Sequence, residues 1–191
     1  MLGTVPTGRR DEAELVGLVQ GGDATAFDEL VRRYMDRGYA VALSILGIPQ
    51  DAEDAVQTAF IRALERMDQL RPGSPFGPWF YSVLRSTALN LRRRESLRSH
   101  EEIPVSASGG SNPERELDRT LTRSRVLAAL EELPEQQRTA VILYDLEGYS
   151  HREVAEILGV AVGTSRAHVH HGRKALRDHL GPVIELETEE E

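Results

Sequence analysis

The chain has 191 residues, a formal net charge of −8 and a 40% hydrophobic composition. This is enough apolar content for real cores, which excludes wholesale disorder, and the length allows one large domain or two small ones. The absence of cysteine excludes disulfides, thiolate zinc sites and cysteine nucleophiles.

No apolar run approaches the ~20 residues that span a bilayer. The opening stretch, MLGTVPTGRRDEAELVGL, lacks the apolar core of a secretory signal. A soluble cytoplasmic protein without membrane insertion is therefore expected. The charge is unevenly placed. Arg71, Arg85, Arg92, Arg93, Arg94 and Arg98 face only Glu95 across residues 71–98. Arg166, Arg173, Lys174 and Arg177 face only Asp178 across residues 162–180. Acid collects at residues 51–54, 101–118 and 185–191. Two basic surfaces on an acidic body suit phosphate contact, but long-range repulsion should make the chain alone a weak DNA binder.

Residues 10–98 have a helical pattern. Phe27, Leu30, Val31 and Tyr34 have helical spacing, and Val56, Ala59, Phe60, Ala63, Leu64 and Met67 repeat it over three turns. Gly47-Ile48-Pro49 breaks the chain between them, and Asp51 is expected to cap the next helix. Residues 71–78, with three prolines and two glycines, are expected to be irregular. A third helix is predicted from near Trp79 to Arg92. Residues 99–112, small, polar and aperiodic, predict a flexible linker. Val126, Leu127, Leu130 and Leu133 then predict an amphipathic helix stopped by Pro134, and a further helix spans residues 139–146.

Residues 149–180 predict two helices joined by a tight turn. Ser150 can cap the first, and Glu153 can return a bond to the Ser150 amide. Val154, Ile157 and Leu158 make its apolar stripe, and Gly159 ends it. The second helix, from about Val162 to about Leu180, carries Val169, Leu176 and Leu180 on one face, while Arg166, His170, Arg173, Lys174 and Arg177 leave that face. A helix so placed can enter the major groove of DNA. The final ETEEE is expected to be disordered. Strand signals and internal repeats are absent from the sequence. The expected architecture is all-α, with two small helical domains at residues 10–98 and 121–181, a linker at 99–120 and an acidic disordered tail at 182–191.

Enzymatic readings find little support. HExxH, GxSxG and a phosphate loop are absent from the sequence, so no catalytic residue, cofactor or small-molecule substrate is expected. His168 and His171 stand three apart on one helix, but no carboxylate lies in reach on the same face. The cluster with His170 is read as facing solvent or DNA rather than a metal.

Together the motifs resemble a bacterial extracytoplasmic-function (group 4) sigma factor of the sigma-70 family. The likeness runs from about Leu15 to Leu180. Leu133-Pro134 with Gln137-Arg138, Leu146-Glu147-Gly148-Tyr149-Ser150, residues 154–160 and Val162-Gly163-Thr164 resemble sigma domain 4. Asp51-Ala52-Glu53-Asp54 with Val56-Gln57 and Phe60, then Trp79 after a loop, resembles domain 2. The resemblance implies core RNA polymerase (β and β′ subunits), promoter DNA and an anti-sigma factor as partners. It implies that Asp51, Glu53, Asp54 and Gln57 face the β′ clamp helices. It implies that Ser74, Phe76, Trp79, Tyr81, Arg85, Ser86, Asn90 and Arg93 capture the melted −10 element. It implies that Arg166, Ala167, His170 and His171 read −35 bases, with Arg173, Gly163 and Thr164 on phosphate. The chain departs from the pattern at Thr58, Ser86, Asn90, Ser165, His168, His171 and Gly172; the glycine should cost its helix about 1 kcal/mol relative to alanine. The competing reading is an autonomous helix-turn-helix transcriptional regulator, which the acidic helix of residues 51–54 and the aromatic loop before Trp79 oppose.

Overall fold

The computed structural model describes residues 11–71, 73–98 and 125–187. The predicted linker at 99–120 and the last residues, 188–191, lie outside them. In chain order the elements are α1 (Glu12–Gln20), α2 (Ala24–Leu46), α3 (Pro49–Glu65), a 3-10 turn (Met67–Gln69) and α4 (Phe76–Arg98). There follow α5 over residues 125–131, α6 (Glu135–Val141), a π-helical turn (Ile142–Leu146), α7 (His151–Leu158) and α8 (Val162–Glu187). The fold is all-α, and no strand occurs among the described residues.

Helix starts follow local chemistry where a cap is at hand. Asp11 accepts from the Glu12 amide, and Asp23 accepts from the Thr25 amide at 2.9 Å. Asp51 is not the cap of α3. Pro49 holds the first helical position and Ile48 precedes it without a side-chain bond. Proline presets φ there and lacks only an amide that would be unpaired anyway, so the helix begins earlier and Asp51 acts within its first turn through the dipole. Helix α4 also starts earlier than expected, at Phe76, with Pro78 inside its first turn. Its cap comes from far away: Glu12 Oε1 accepts the amides of Phe76 at 2.6 Å and Gly77 at 3.3 Å.

In the C-terminal half, α6 begins directly after Pro134 rather than near Thr139. Its end widens into the π turn, where the Glu147 amide donates to the Ile142 carbonyl at 3.1 Å. Helix α7 has the predicted reciprocal capping box and ends at Gly159 with φ 67°. Helix α8 runs past Leu180 to Glu187, so residues 182–187 of the expected disordered tail have helical backbone.

Helices α2, α3 and α4 bury Phe27, Phe60, Phe76 and Phe80; the Phe60 and Phe80 rings stack at 4.4 Å and those of Phe76 and Phe80 at 5.5 Å. Helices α6, α7 and α8 bury Leu143, Val154, Ile157, Leu158 and Val169. The two groups meet, and their buried side chains form one continuous cluster. The Ser44 and Thr139 hydroxyls pair at 3.3 Å inside that contact.

Candidate nucleic-acid and polymerase surfaces

Helix α8 has one face committed to packing. Ser165 and Val169 are buried there, and Gly172 lies against α6 so closely that a Cβ would fall 2.6 Å from Val141 Cγ2. The opposite side is open: Gly163, Thr164, Arg166, Ala167, His170 and His171 are all exposed. These six predicted −35 residues are brought together on one solvent-facing surface. His168 is not among them. It is half-buried, and its Nε2 is buried without a partner.

Arg173 is exposed but engaged. Asp145 receives its Nε at 3.1 and 3.0 Å and also contacts Nη2, while the guanidinium lies 5.1 Å from the centre of the Tyr144 ring. The hydrogen bond to Asp145 raises the Arg173 pKa. Tyr144 in turn stacks on His151 at 4.1 Å, and His151 Nδ1 stands 3.4 Å from Ser165 Oγ. The π turn thus braces α8 both near its start and two turns on. Among the described residues no group of His, Asp and Glu could hold a metal ion.

The predicted −10 residues divide. Ser86, Asn90 and Arg93 are exposed at spacings of four and three along α4, which puts them on one helix face. Ser74 and Arg85 are half-buried, and Arg85 Nε has no partner. Trp79 is half-buried, its ring 5.9 Å from Phe76. Phe76 and Tyr81 are 0% exposed and do not offer stacking surfaces in this structure. For Phe76 the reason is the ring stack beneath α4. For Tyr81 it is the C-terminal module: its hydroxyl donates to Glu147 Oε2 at 3.0 Å and its ring meets Tyr149 edge-on at 5.6 Å. Burial raises the Tyr81 pKa, and Glu147 adds to the shift. Arg92, next to the predicted set, pairs with Glu135 at 3.0 Å.

Of the predicted polymerase residues, Glu53, Asp54 and Gln57 are exposed and Asp51 partly so. Glu53 and Gln57 line a groove of about 820 Å³ between the two modules, floored by Met35, Leu43, Val56 and Leu130. Leu127 and Leu146, 46% and 69% exposed, border it. Sequence reasoning missed this groove, as it missed Glu12, Arg37 and Glu147 at the contact between modules. Tyr149 and Glu147 were visible only as members of a motif, and nothing local shows that they face another helix.

The sigma-70 region 2 family model matches residues 30–98 and the sigma-70, region 4 model matches residues 123–176. Over 166 residues the chain is 36% identical to the ECF RNA polymerase sigma factor SigE of Mycolicibacterium smegmatis, a match covering 83% of this chain and 64% of that protein. Over 182 residues it is 35% identical to the ECF RNA polymerase sigma-E factor of Escherichia coli K12, covering 89% and 94%. Among solved structures, the sigma factor RpoE of Bartonella quintana, in complex with the anti-sigma factor NepR, matches at a TM-score of 0.66 and 26% identity, covering 81% of this chain and 96% of that one. CnrH, in complex with the cytosolic domain of CnrY, shares the fold at a TM-score of 0.67 and 23% identity, covering 90% and 97%. The chain belongs to the extracytoplasmic-function sigma factors of the sigma-70 family.

Proposed function

We propose that this sigma factor directs promoter-specific initiation through separate surfaces on two domains, residues 10–98 and 121–181. The reading rests above all on α8, whose buried face is fixed by Ser165, Val169 and Gly172 while Arg166, Ala167, His170 and His171 share the free face. That free face enters the major groove of the −35 element, with Arg166 and the histidines at base edges. Arg173, aimed by Asp145, and the α8 N-terminal amides near Gly163 and Thr164 take phosphates. Ser86, Asn90 and Arg93 track the opened −10 strand, with Ser74, Trp79 and Arg85 beside them; Phe76 and Tyr81 support that face from beneath.

Glu53, Asp54 and Gln57, with Asp51, meet the β′ clamp helices, where clustered carboxylates suit a basic partner and speed encounter. The chain contributes binding energy and no chemistry of its own, and it works in the cytoplasm, where polymerase and promoter are. The groove bordered by Leu127 and Leu146 is the surface offered to an anti-sigma factor, the class of partner found with the Bartonella relative.

The test is assembly with core polymerase. Wild-type chain should co-elute with purified core enzyme, and Glu53→Lys/Asp54→Lys should not. Arg166→Ala should still co-elute but lose −35 protection in a footprint. A chain that protects promoter DNA alone and ignores core enzyme would instead be an autonomous regulator.

A further inference from the structure

Helix α1 carries a polar side chain at each end of its buried stripe. Leu15, Val16 and Val19 pack into the core, and Glu12 and Gln20, four residues either side of Val16, share their face. Both side chains reach the same stretch of chain, from opposite ends. Gln20 Nε2 donates to the carbonyls of Met67 and Leu70, each at 2.9 Å, at the close of the 3-10 turn. Glu12 Oε1 accepts the first amides of α4, from Phe76 at 2.6 Å and Gly77 at 3.3 Å. The other oxygen of Glu12 accepts from the Tyr34 hydroxyl at 2.5 Å, which fixes the direction of the carboxylate. Between these two holds is the loop of Arg71 and residues 73–75. Glu12 and Gln20 are eight residues apart, a rise of about 12 Å along a helix. The chain from Leu70 to Phe76 spans at most about 20 Å when extended. The loop therefore has slack and bows outward, with Arg71, Gly73 and Pro75 exposed. A turn closes the bow: the Ser74 amide donates to the Arg71 carbonyl at 3.0 Å, and Gly73 has φ 77°. Its shape depends on where its two ends are held, and α1 holds both.

We propose that Glu12 and Gln20 are positioning residues for −10 recognition. Helix α1 is a bracket whose two polar ends fix the separation and direction of the loop ends, and with them the surface around Ser74 that receives an opened base. The two side chains act through the loop, without touching DNA. A loop released at one end offers the same groups in more shapes, so discrimination between bases falls while polymerase docking and −35 binding stay as they were. The recognition part rests on the reading of this loop and α4 as the −10 face; the bracket itself does not.

The experiment is run-off transcription by core polymerase reconstituted with the full chain. The probe is a promoter fragment selected by its transcript with the wild-type chain, together with copies carrying single substitutions in the −10 or the −35 element. The readout is the ratio of transcript from the parent fragment to that from each copy. Inactive chain lowers both transcripts alike, so misfolding leaves the ratio unchanged. Gln20→Glu keeps the shape of the side chain but sets an acceptor against two carbonyls, and should lower the −10 ratio about fivefold, the weight of roughly one hydrogen bond. Gln20→Lys restores a donor and should recover most of the ratio. Glu12→Ala should lower it too, whatever its cost in stability. The −35 ratios should match wild type in all three. Ser74→Tyr, which adds bulk within the loop, tests the −10 reading itself. A −10 ratio changed by Ser74→Tyr but not by Gln20→Glu or Glu12→Ala would overturn the bracket's role and leave the −10 reading standing. A ratio that none of these variants changes would remove the loop from −10 reading, and the proposal with it. Equal losses in Gln20→Glu and Gln20→Lys, or −35 ratios that fall as far as the −10 ratios, would also overturn it.

Discussion

A Gly172→Ala substitution sets two effects of opposite sign against each other. Helix propensity alone favours alanine by about 1 kcal/mol. Packing opposes it. The new Cβ would lie 2.6 Å from Val141 Cγ2 and 3.4 Å from the Gln137 carbonyl oxygen, whereas carbons in contact sit about 3.5–4.0 Å apart. Val141 is buried, and its branched side chain has essentially one rotamer in a helix. Helix α8 must therefore move by about 1 Å or α6 must yield, and such overpacking costs about 1–3 kcal/mol. The balance is a loss of about 1 kcal/mol, read as a lower urea midpoint at unchanged slope. A double-mutant cycle isolates the cause. Val141→Ala removes the obstructing methyls, so in that background Gly172→Ala should be neutral or stabilising, with a coupling of about 1 kcal/mol or more. If Gly172→Ala raises stability by the propensity increment in both backgrounds, the close approach of α8 to α6 is refuted.

Three further outcomes follow from the geometry. Glu12→Ala removes the cap of α4 and the partner of Tyr34 together, and should lower stability by about 1–3 kcal/mol in urea titration; Glu12→Gln, which keeps an acceptor oxygen, should lose less, and equal loss would contradict the capping role. His171→Arg adds a fixed charge to the exposed face of α8, so holoenzyme binding to −35 duplex should tighten and its log–log salt slope steepen by about 1; an unchanged slope would place position 171 away from phosphate. Burial raises the Tyr149 pKa to about 12 and also raises those of Tyr34 and Tyr81. Because these folded values exceed the unfolded value of about 10, the stability they confer is complete below pH 10 and is lost as pH rises through 12. Urea midpoints taken from pH 8 to 11.5 should be flat and then fall, and a fall already at pH 9 would contradict the burial of these hydroxyls.

Where structure follows from neighbours in sequence, it was legible. Ser150, Glu153 and Gly159 carry the start and end of α7 within ten residues, and the order of motifs carried the family. What was not legible depends on distant partners. Helix α4 begins at Phe76 among prolines and glycines because Glu12 caps it from 64 residues upstream. Arg173 was assigned to phosphate by its position, but Asp145, which orients it, is 28 residues away. Phe76 and Tyr81 were placed on DNA by the family resemblance, although Phe76, Phe80 and Leu84 recur every fourth residue and so already marked a core face. Gly172 was read as a helix defect; it is a contact point.

Promoter-selective initiation is measured most directly by run-off transcription from a genomic fragment library, using purified core polymerase with and without the chain. A promoter-selecting subunit gives transcripts from a restricted set of fragments only when the chain is added, and Glu53→Lys/Asp54→Lys abolishes them. The same transcripts from core enzyme with or without the chain, or transcripts unaffected by Arg166→Ala and the Glu53/Asp54 changes alike, would contradict the assignment of these surfaces.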